Sequence, residues 1–473
     1  MTVKTQNLLR DSASMRWMML LLVALTMFAV YVASDVFSPL KTMLETHNQW
    51  NSLEYGWFSS SYSLFNVFLG MLIFGGLLLD KVGIRFTGIV SCILMVVGIG
   101  VKYWAVSSPE LLNTSMNFLG STYKMQVVWT VIGYATFGVG AEVAGITVSK
   151  SIVKWFKGKE MALAMGLQLS LARLGAFAAL GFSPMIAAKF NTVSAPVMVG
   201  LILLIVGGLS FVIYTFFDRK LDKQIQEETM AKESSFSIKD IGMVLNNKGF
   251  WCIALLCLTF YSAVFPFLKY ATDLMVNKFG VDPEMAGFIP AMLPVGSIIL
   301  TPLFGTIYDR KGHGADLMIL GAVIITCVHF LFAAPFTTHW LVAVALMICL
   351  GIGFAMVPAA MWPSLAKIMP EQRFGTAIAL TFFVQNIGLW GMPLLIGSIL
   401  NSYCITGTRE VLVEMVVDGK VQEVLQQVPT YNYTTPMIIF ASICLVAIII
   451  ALFVKHLDKK MGYGLQIANR QKS

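Results

Sequence analysis

The sequence predicts an all-α membrane protein of twelve transmembrane helices arranged in two six-helix bundles. Three observations predict it. Of 473 residues, 57% are hydrophobic and only 12% charged, with a mean hydropathy of +0.76; a soluble globular domain carries about 25% charged residues. Twelve segments reach the roughly 20 apolar residues that a bilayer crossing needs. A charged stretch at 218–249 divides them six and six. This composition excludes a soluble enzyme, a disordered chain and a nucleic-acid binder. Seven cysteines, at 92, 252, 257, 327, 349, 404 and 444, form no CxxC pair. Six lie in apolar stretches and read as small buried hydrophobes, neither a disulfide framework nor a metal site. No phosphate-binding GxxxxGK[ST] occurs, so ATP does not drive the chain, and no cofactor is expected.

The spans lie near 17–38, 55–79, 86–106, 126–149, 160–188, 195–217, 250–274, 285–308, 315–335, 339–362, 374–400 and 435–454. Backbone polar groups in lipid need internal partners, so these are helices; Pro184, Pro266, Pro294, Pro358 and Pro393 mark bends. The first span is too long for a cleaved signal peptide, lacks a small-residue cleavage site and is followed by eleven others. With the N-terminus in the cytosol, inner segments hold 24 Lys and Arg and outer segments 8, which sets both termini inside. The predicted organisation is an N-terminal bundle at 1–217, a partly helical cytosolic linker at 218–249 and a C-terminal bundle at 250–473. In the outer segment 401–434, Asp418-Gly419 between β-prone runs signals a hairpin.

The halves repeat a motif. Gly76-Leu-Leu-Leu-Asp80-Lys81-Val-Gly83-Ile-Arg85 follows the second span, and Gly305-Thr-Ile-Tyr-Asp309-Arg310-Lys-Gly312 follows the eighth, 229 residues later. Internal repeats mark secondary transporters. Gly76 and Gly305 permit close backbone approach, Asp80 and Asp309 suit the positive end of a neighbouring helix, and Arg85 and Arg310 can pair with carboxylates or headgroups. The repeat resembles the signature of the major facilitator superfamily, in which this cluster latches the cytosolic gate of the outward-open state. Longer strings resemble the lysosomal dipeptide uniporter subfamily and its prokaryotic relatives. They are Trp155-Phe-Lys-Gly-Lys-Glu160, Gly166-Leu-Gln-Leu-Ser-Leu-Ala-Arg173-Leu-Gly175, Tyr261-Ser-Ala-Val-Phe265-Pro266-Phe267, Trp362-Pro363, Pro370-Glu371, Gly375-Thr376-Ala377 and Gln385-Asn386-Ile-Gly388. Asp35 with Pro39 and Leu40, and Asn66, fit as well. The resemblance covers roughly 25–400 and implies a facilitative dipeptide carrier, in which an embedded glutamate and arginine hold the two peptide termini. The matching positions are Glu142 and Arg173.

Those two residues stand out without the resemblance, because a charge at a helix centre costs roughly 2.5–3.5 kcal/mol on insertion scales. Glu142 lies about 12 Å and Arg173 about 20 Å above the inner boundary at 1.5 Å per residue. The offset of about 8 Å suits a zwitterion whose charges lie about 7 Å apart. The plain alternative is that the two simply pair with each other. An arginine offers a planar fork to carboxylate, and a glutamate accepts from ammonium.

Asp35, at the outer end of the first span, is placed to reach a substrate amine, to serve at the outer gate, or merely to be solvated. Tyr62 with Asn66, and Tyr261 with Phe265, are i, i+4 pairs on one helix face and suit a permissive pocket; core packing is the plainer reading of any single aromatic. Gln385 and Asn386 either bind the substrate backbone or lock helices together. Trp362 is a packing or gate residue, and His329 a structural histidine. Lys269 and Asp273 read as an interfacial i, i+4 pair or gate contact. The expected function is dipeptide transport by alternating access as a uniporter, with the bilayer and the substrate as partners and the monomer as the working unit. The alternatives are a proton-coupled or organic-anion carrier of the same superfamily, and a non-transporting membrane sensor. Lys4 stands where a lysosomal signal at Leu8-Leu9 needs an acid; short tails and few histidines favour a prokaryotic cytoplasmic membrane over a lysosomal one. The subfamily's accessory glycoprotein is therefore not carried over.

Overall fold

Long apolar runs close their backbone hydrogen bonds within single helices, and those helices dominate the molecule. A computed structural model describes residues 8–118, 121–157, 159–225, 238–417 and 420–468. The first half contains α1 (Ala13–Asp35), α2 (Lys41–His47), α3 (Ser52–Ser61), α4 (Leu64–Phe68), α5 (Met71–Ser107), α6 (Pro109–Leu112), α7 (Met125–Trp155), α8 (Met161–Lys189) and α9 (Ser194–Ile225). After α10 (Ile238–Leu245) come α11 (Lys248–Phe279), α12 (Phe288–Lys311), α13 (Gly314–Ala333), α14 (Trp340–Ile368), α15 (Glu371–Tyr403) and α16 (Thr434–Met461). Strand β1 (Ser115–Phe118) pairs antiparallel with β2 (Ser121–Lys124), and β3 (Ile405–Val417) with β4 (Lys420–Tyr431). Both strand pairs lie where α1 ends, at the hairpin face; the opposite end is the termini face.

Among the described residues, eleven helices are long and apolar enough to cross a bilayer, against twelve expected spans. The difference is the second span, which is broken. It crosses as α3, α4 and the first turns of α5, with a turn at Tyr62–Ser63 and Gly70 left-handed at φ 61°. Gly83, at φ 83° and ψ 174°, then bends α5 between the second and third spans. Other boundaries have ordinary causes. Asn51 accepts from the Glu54 N–H at 2.8 Å while Glu54 accepts from the Asn51 N–H, closing a capping box on α3. Asn247 caps α11, which ends at left-handed Gly280. The five prolines anticipated as bends lie inside α8, α11, α12, α14 and α15.

Helices α1, α5, α7, α8 and α9 pack on one another, as do α11 to α16, giving two bundles. Helix α9 runs past the expected boundary at 217, so Asp218 and Asp222 are helical; residues 226–237 lie outside the described residues. The outer hairpin forms as expected, although its Asp418-Gly419 turn also lies outside the described residues. The short β1–β2 pair was not expected, because strands of four residues are too short to signal themselves. Cys327 and Cys349 are exposed rather than buried, since the outer surface of a bundle in lipid is itself apolar.

The halves meet closely at the hairpin face. A Cβ on Gly56 would lie 2.9 Å from the Pro393 carbonyl oxygen, and one on Gly397 2.4 Å from that of Ser52, joining α3 to α15. A Cβ on Gly287 would lie 2.0 Å from the Leu180 carbonyl oxygen, joining the start of α12 to α8. At the other end, no atom of the described residues lies within 4 Å of a Cβ position on Gly76 or Gly305. The close approach expected at those two glycines is not made in this conformation. The halves are drawn together at the hairpin face.

Candidate functional site

Glu142 and Arg173 are both half-buried, and each lies beside side chains of the opposite half, Asn386 for Glu142 and Phe265 and Phe354 for Arg173. On α7, a Cβ at Gly138 would lie 2.0 Å from the Tyr62 carbonyl oxygen. The absence of a side chain there lets the broken second span press against α7 one turn before Glu142. That contact delivers the Tyr62 hydroxyl, which donates to Glu142 Oε1 at 3.1 Å. The Asn386 amide of the opposite half stands beside the same carboxylate. It reaches that position because Gly388, two residues on, seats α15 against Ser262 of α11.

Arg173 is held differently. A Cβ at Gly175 would lie 2.4 Å from the Phe28 carbonyl oxygen, so α8 packs tightly on α1 and brings Tyr31 alongside. The guanidinium carbon lies 5.8 Å from the Tyr31 ring centre, 5.9 Å from that of Phe265 and 5.5 Å from that of Phe354. Tyr261 stacks on Phe265 at 5.3 Å and 16° and meets Phe354 edge-on. Guanidinium over ring faces is attractive yet leaves the planar N–H donors available. No ion pair joins Glu142 to Arg173 among the described residues, so the reading in which they simply neutralise each other does not describe this conformation. Each charge touches side chains from both halves.

The other sequence candidates divide. Tyr62, Tyr261, Phe265 and Asn386 belong with the pair. Asn66 is fully buried and its Nδ2 donates to the Gly138 carbonyl at 3.4 Å; it supports Tyr62 from behind. Gln385 accepts from the Cys257 thiol at 3.3 Å and locks α15 to α11. Trp362 packs on Phe382 at 5.0 Å. His329 is buried, with Nε2 3.1 Å from the Ala263 carbonyl oxygen, a structural contact between α13 and α11. In the repeated motif, Gly83 and Gly312 both take positive φ, 83° and 75°, at the turns that end the second and eighth spans. Arg85 binds Asp218 at 3.3 Å and Asp222 at 2.5 Å on α9, and Lys154 reaches both. This cluster ties one half to itself. The Asp80 side chain lies outside the described residues. Asp309, Arg310 and Gly312 close α12, with Arg310 suited to its negative end.

Asp35 stands apart from the pair, at the hairpin face, where it binds Lys269 at 2.7 Å. Lys269 and Asp273, one turn apart, do not pair with each other. Asp273 binds Lys41 at 3.0 Å and accepts from Thr42 at 2.7 Å, and Lys41 also binds Glu45 at 2.7 Å; Lys41, Glu45 and Asp273 side chains are each 1% exposed. Tyr55 donates to the Lys269 carbonyl at 2.7 Å. The base of the hairpin joins in, Tyr431 donating to Glu45 at 2.8 Å and Tyr433 donating to Asp273. This is a buried polar contact built from both halves, placed as a closed gate would be. Sequence reading missed Tyr31 and Phe354, which carry no signal beyond being aromatics in apolar spans. It also passed over Lys102, which falls within the expected third span and is fully buried in α5.

Comparison with known proteins agrees with this architecture. The chain is 29% identical over 403 residues to the lysosomal dipeptide transporter MFSD1 of Homo sapiens, covering 82% of this chain and 80% of that protein. It is 29% identical over 393 residues to MFSD1 of Mus musculus, covering 79% and 78%. Among solved structures, a D-xylose–proton symporter superposes with a TM-score of 0.66 at 16% identity, covering 93% of this chain and 97% of that one. A bacterial homologue of the human lysosomal transporter Spinster, inward-facing and occupied, gives 0.64 at 12% identity over 93% and 97%. The family profile of the Major Facilitator Superfamily matches residues 23–393. With that profile matched over most of its length, the chain belongs to the Major Facilitator Superfamily.

Proposed function

We propose that this chain moves dipeptides across a membrane by alternating access, as a uniporter, with Glu142 receiving the peptide ammonium and Arg173 the carboxylate. One observation carries the reading: an acid and a base face the same space, unpaired with each other and each in contact with both bundles. Glu142 has Tyr62 on one side and Asn386 on the other; Arg173 has Tyr31 on one side and Phe265 and Phe354 on the other. A zwitterion satisfies both charges at once, whereas an anion leaves Glu142 and an amine leaves Arg173 without an opposite charge. Substrate held by both halves also makes their relative motion sensitive to its presence. The similar proteins named for dipeptide transport support the substrate class. One chain supplies every residue of the site, which supports a monomer as the working unit.

The excess of Lys and Arg at the termini face supports a cytosolic position for both termini and makes the sealed hairpin face the outer one. The repeated motif then lies at the cytosolic side, and an open face there accounts for the lack of any described atom within 4 Å of a Cβ position on Gly76 and Gly305. A dipeptide is electrically neutral overall, so its passage demands no accompanying proton. In proteoliposomes the expected result is equilibration of labelled dipeptide without concentration, whether or not a pH gradient is imposed. Accumulation above the external level only under a gradient would replace uniport by proton coupling.

A further inference from the structure

Lys102 lies on the third span, fully buried, and its ammonium has no hydrogen-bond acceptor among the described residues. Three rings of its own half enclose it: the Nζ atom is 3.9 Å from the centre of Phe37 and 4.8 Å from those of Phe58 and Tyr134. Ring faces attract a cation but do not replace the hydrogen bonds it loses on leaving water. An ionisable group kept at such cost inside a membrane bundle points to a role in moving between states.

Beyond the Tyr134 ring stand Asp35 and Lys269, whose Nζ donates to the Ser34 carbonyl at 3.5 Å. These two form the 2.7 Å ion pair across the gate, where Lys269 also donates to Ser38 Oγ at 3.0 Å. Tyr134, against which Lys102 rests, donates to the carbonyl of Ser34, next to Asp35. Lys102, Tyr134 and Asp35 therefore travel together with one half, and Lys269 with the other. When the halves part at the hairpin face, Lys269 withdraws and Asp35 loses its cation.

We infer that Lys102 is the counter-ion that Asp35 takes in the state open at the hairpin face. In the sealed state Lys269 pairs with Asp35 and Lys102 waits in its aromatic enclosure. In the open state Lys102 swings to Asp35, so neither conformation leaves the carboxylate unpaired. Lys102 is thus a positioning residue: it acts through Asp35 on the balance between the two states and touches no substrate. The inference rests on the carrier alternating between open faces and not on the choice of dipeptides as substrate.

The test uses substrate-free protein, so it can fail independently of the substrate reading. Spin labels at Asn113 and Glu284, exposed at the hairpin face on opposite halves, report its opening once the exposed Cys327 and Cys349 are changed to serine. Lys102→Met is expected to lower the open population about tenfold, within the usual range of coupling between conformational states, and Lys102→Gln to do the same if the methionine variant folds poorly. Lys102→Arg keeps the charge and retains the wild-type distribution. In a chain already carrying Asp35→Asn, Lys102→Met adds no further shift. Unchanged distances in both uncharged variants would overturn the inference. So would a Lys102→Met effect of equal size with and without Asp35→Asn.

Discussion

Arg173→Ala is expected to reduce dipeptide transport about 100-fold while the chain still folds and inserts. A hydrogen-bonded contact to a charged group contributes about 1.5–3 kcal/mol, and each 1.4 kcal/mol is a factor of ten. The environment of Arg173 supports the upper end, because its guanidinium faces three aromatic rings and no competing carboxylate. Because Arg173 is only half-buried, removing its side chain leaves no enclosed void. Arg173→Lys keeps the charge and loses the planar fork, so an intermediate loss of about tenfold is expected from a single missing contact. Initial rates in proteoliposomes, normalised to the amount of inserted protein, measure both. Transport by Arg173→Ala within twofold of wild type would remove Arg173 from the site.

Asp273→Asn is expected to unlock the hairpin face. Lys41 is held at 3.0 Å by Asp273 and at 2.7 Å by Glu45, all of them buried, and breaking a buried pair by removing one partner costs about 3–5 kcal/mol. That cost falls on the sealed conformation alone, since Asp273 belongs to one half and Lys41 to the other. A shift of about 100-fold or more toward the open state follows from the same range. A cysteine introduced as Ser38→Cys, buried in the sealed gate, should then react correspondingly faster with a thiol reagent that cannot cross the membrane. Combining Lys41→Met and Glu45→Gln with Asp273→Leu removes all three buried charges from this contact and should recover part of the protection. Unaltered labelling in Asp273→Asn would mean that the gate is held elsewhere, at the glycine contacts between α3 and α15 or between α8 and α12.

Hydropathy made the bundles legible because membrane spans are long and self-contained in hydrogen bonding. It misjudged the second span because Leu64–Phe68 is as apolar as its neighbours. The break comes from the turn at Tyr62–Ser63 and from left-handed Gly70, and periodicity does not register either. Glu142 and Arg173 were legible for the reason that makes them costly, a charge within an apolar run. Their surroundings were only partly so: Phe265 stood among the pocket candidates, but Tyr31 and Phe354 come from α1 and α14, and one sequence does not say which aromatics converge. The gate misled in a specific way. Lys269 and Asp273 have the spacing of an intrahelical pair, yet both are drawn to Asp35 and Lys41 of the other half. Lys102 drew no notice because it falls near a span end, where a lysine ordinarily reaches the interface; here Phe37, Phe58 and Tyr134 cover it instead.

The assignment of one peptide end to each charged residue is tested most directly by binding a dipeptide and its two capped analogues to three proteins. In the wild type, N-acetylation and C-terminal amidation should each weaken binding by about tenfold or more, the value of one lost charge-assisted contact. In Glu142→Gln the penalty for acetylation should vanish and that for amidation persist; in Arg173→Ala the pattern should reverse. Equal penalties for both caps in all three proteins would contradict the account, because the peptide ends would then be recognised by other groups.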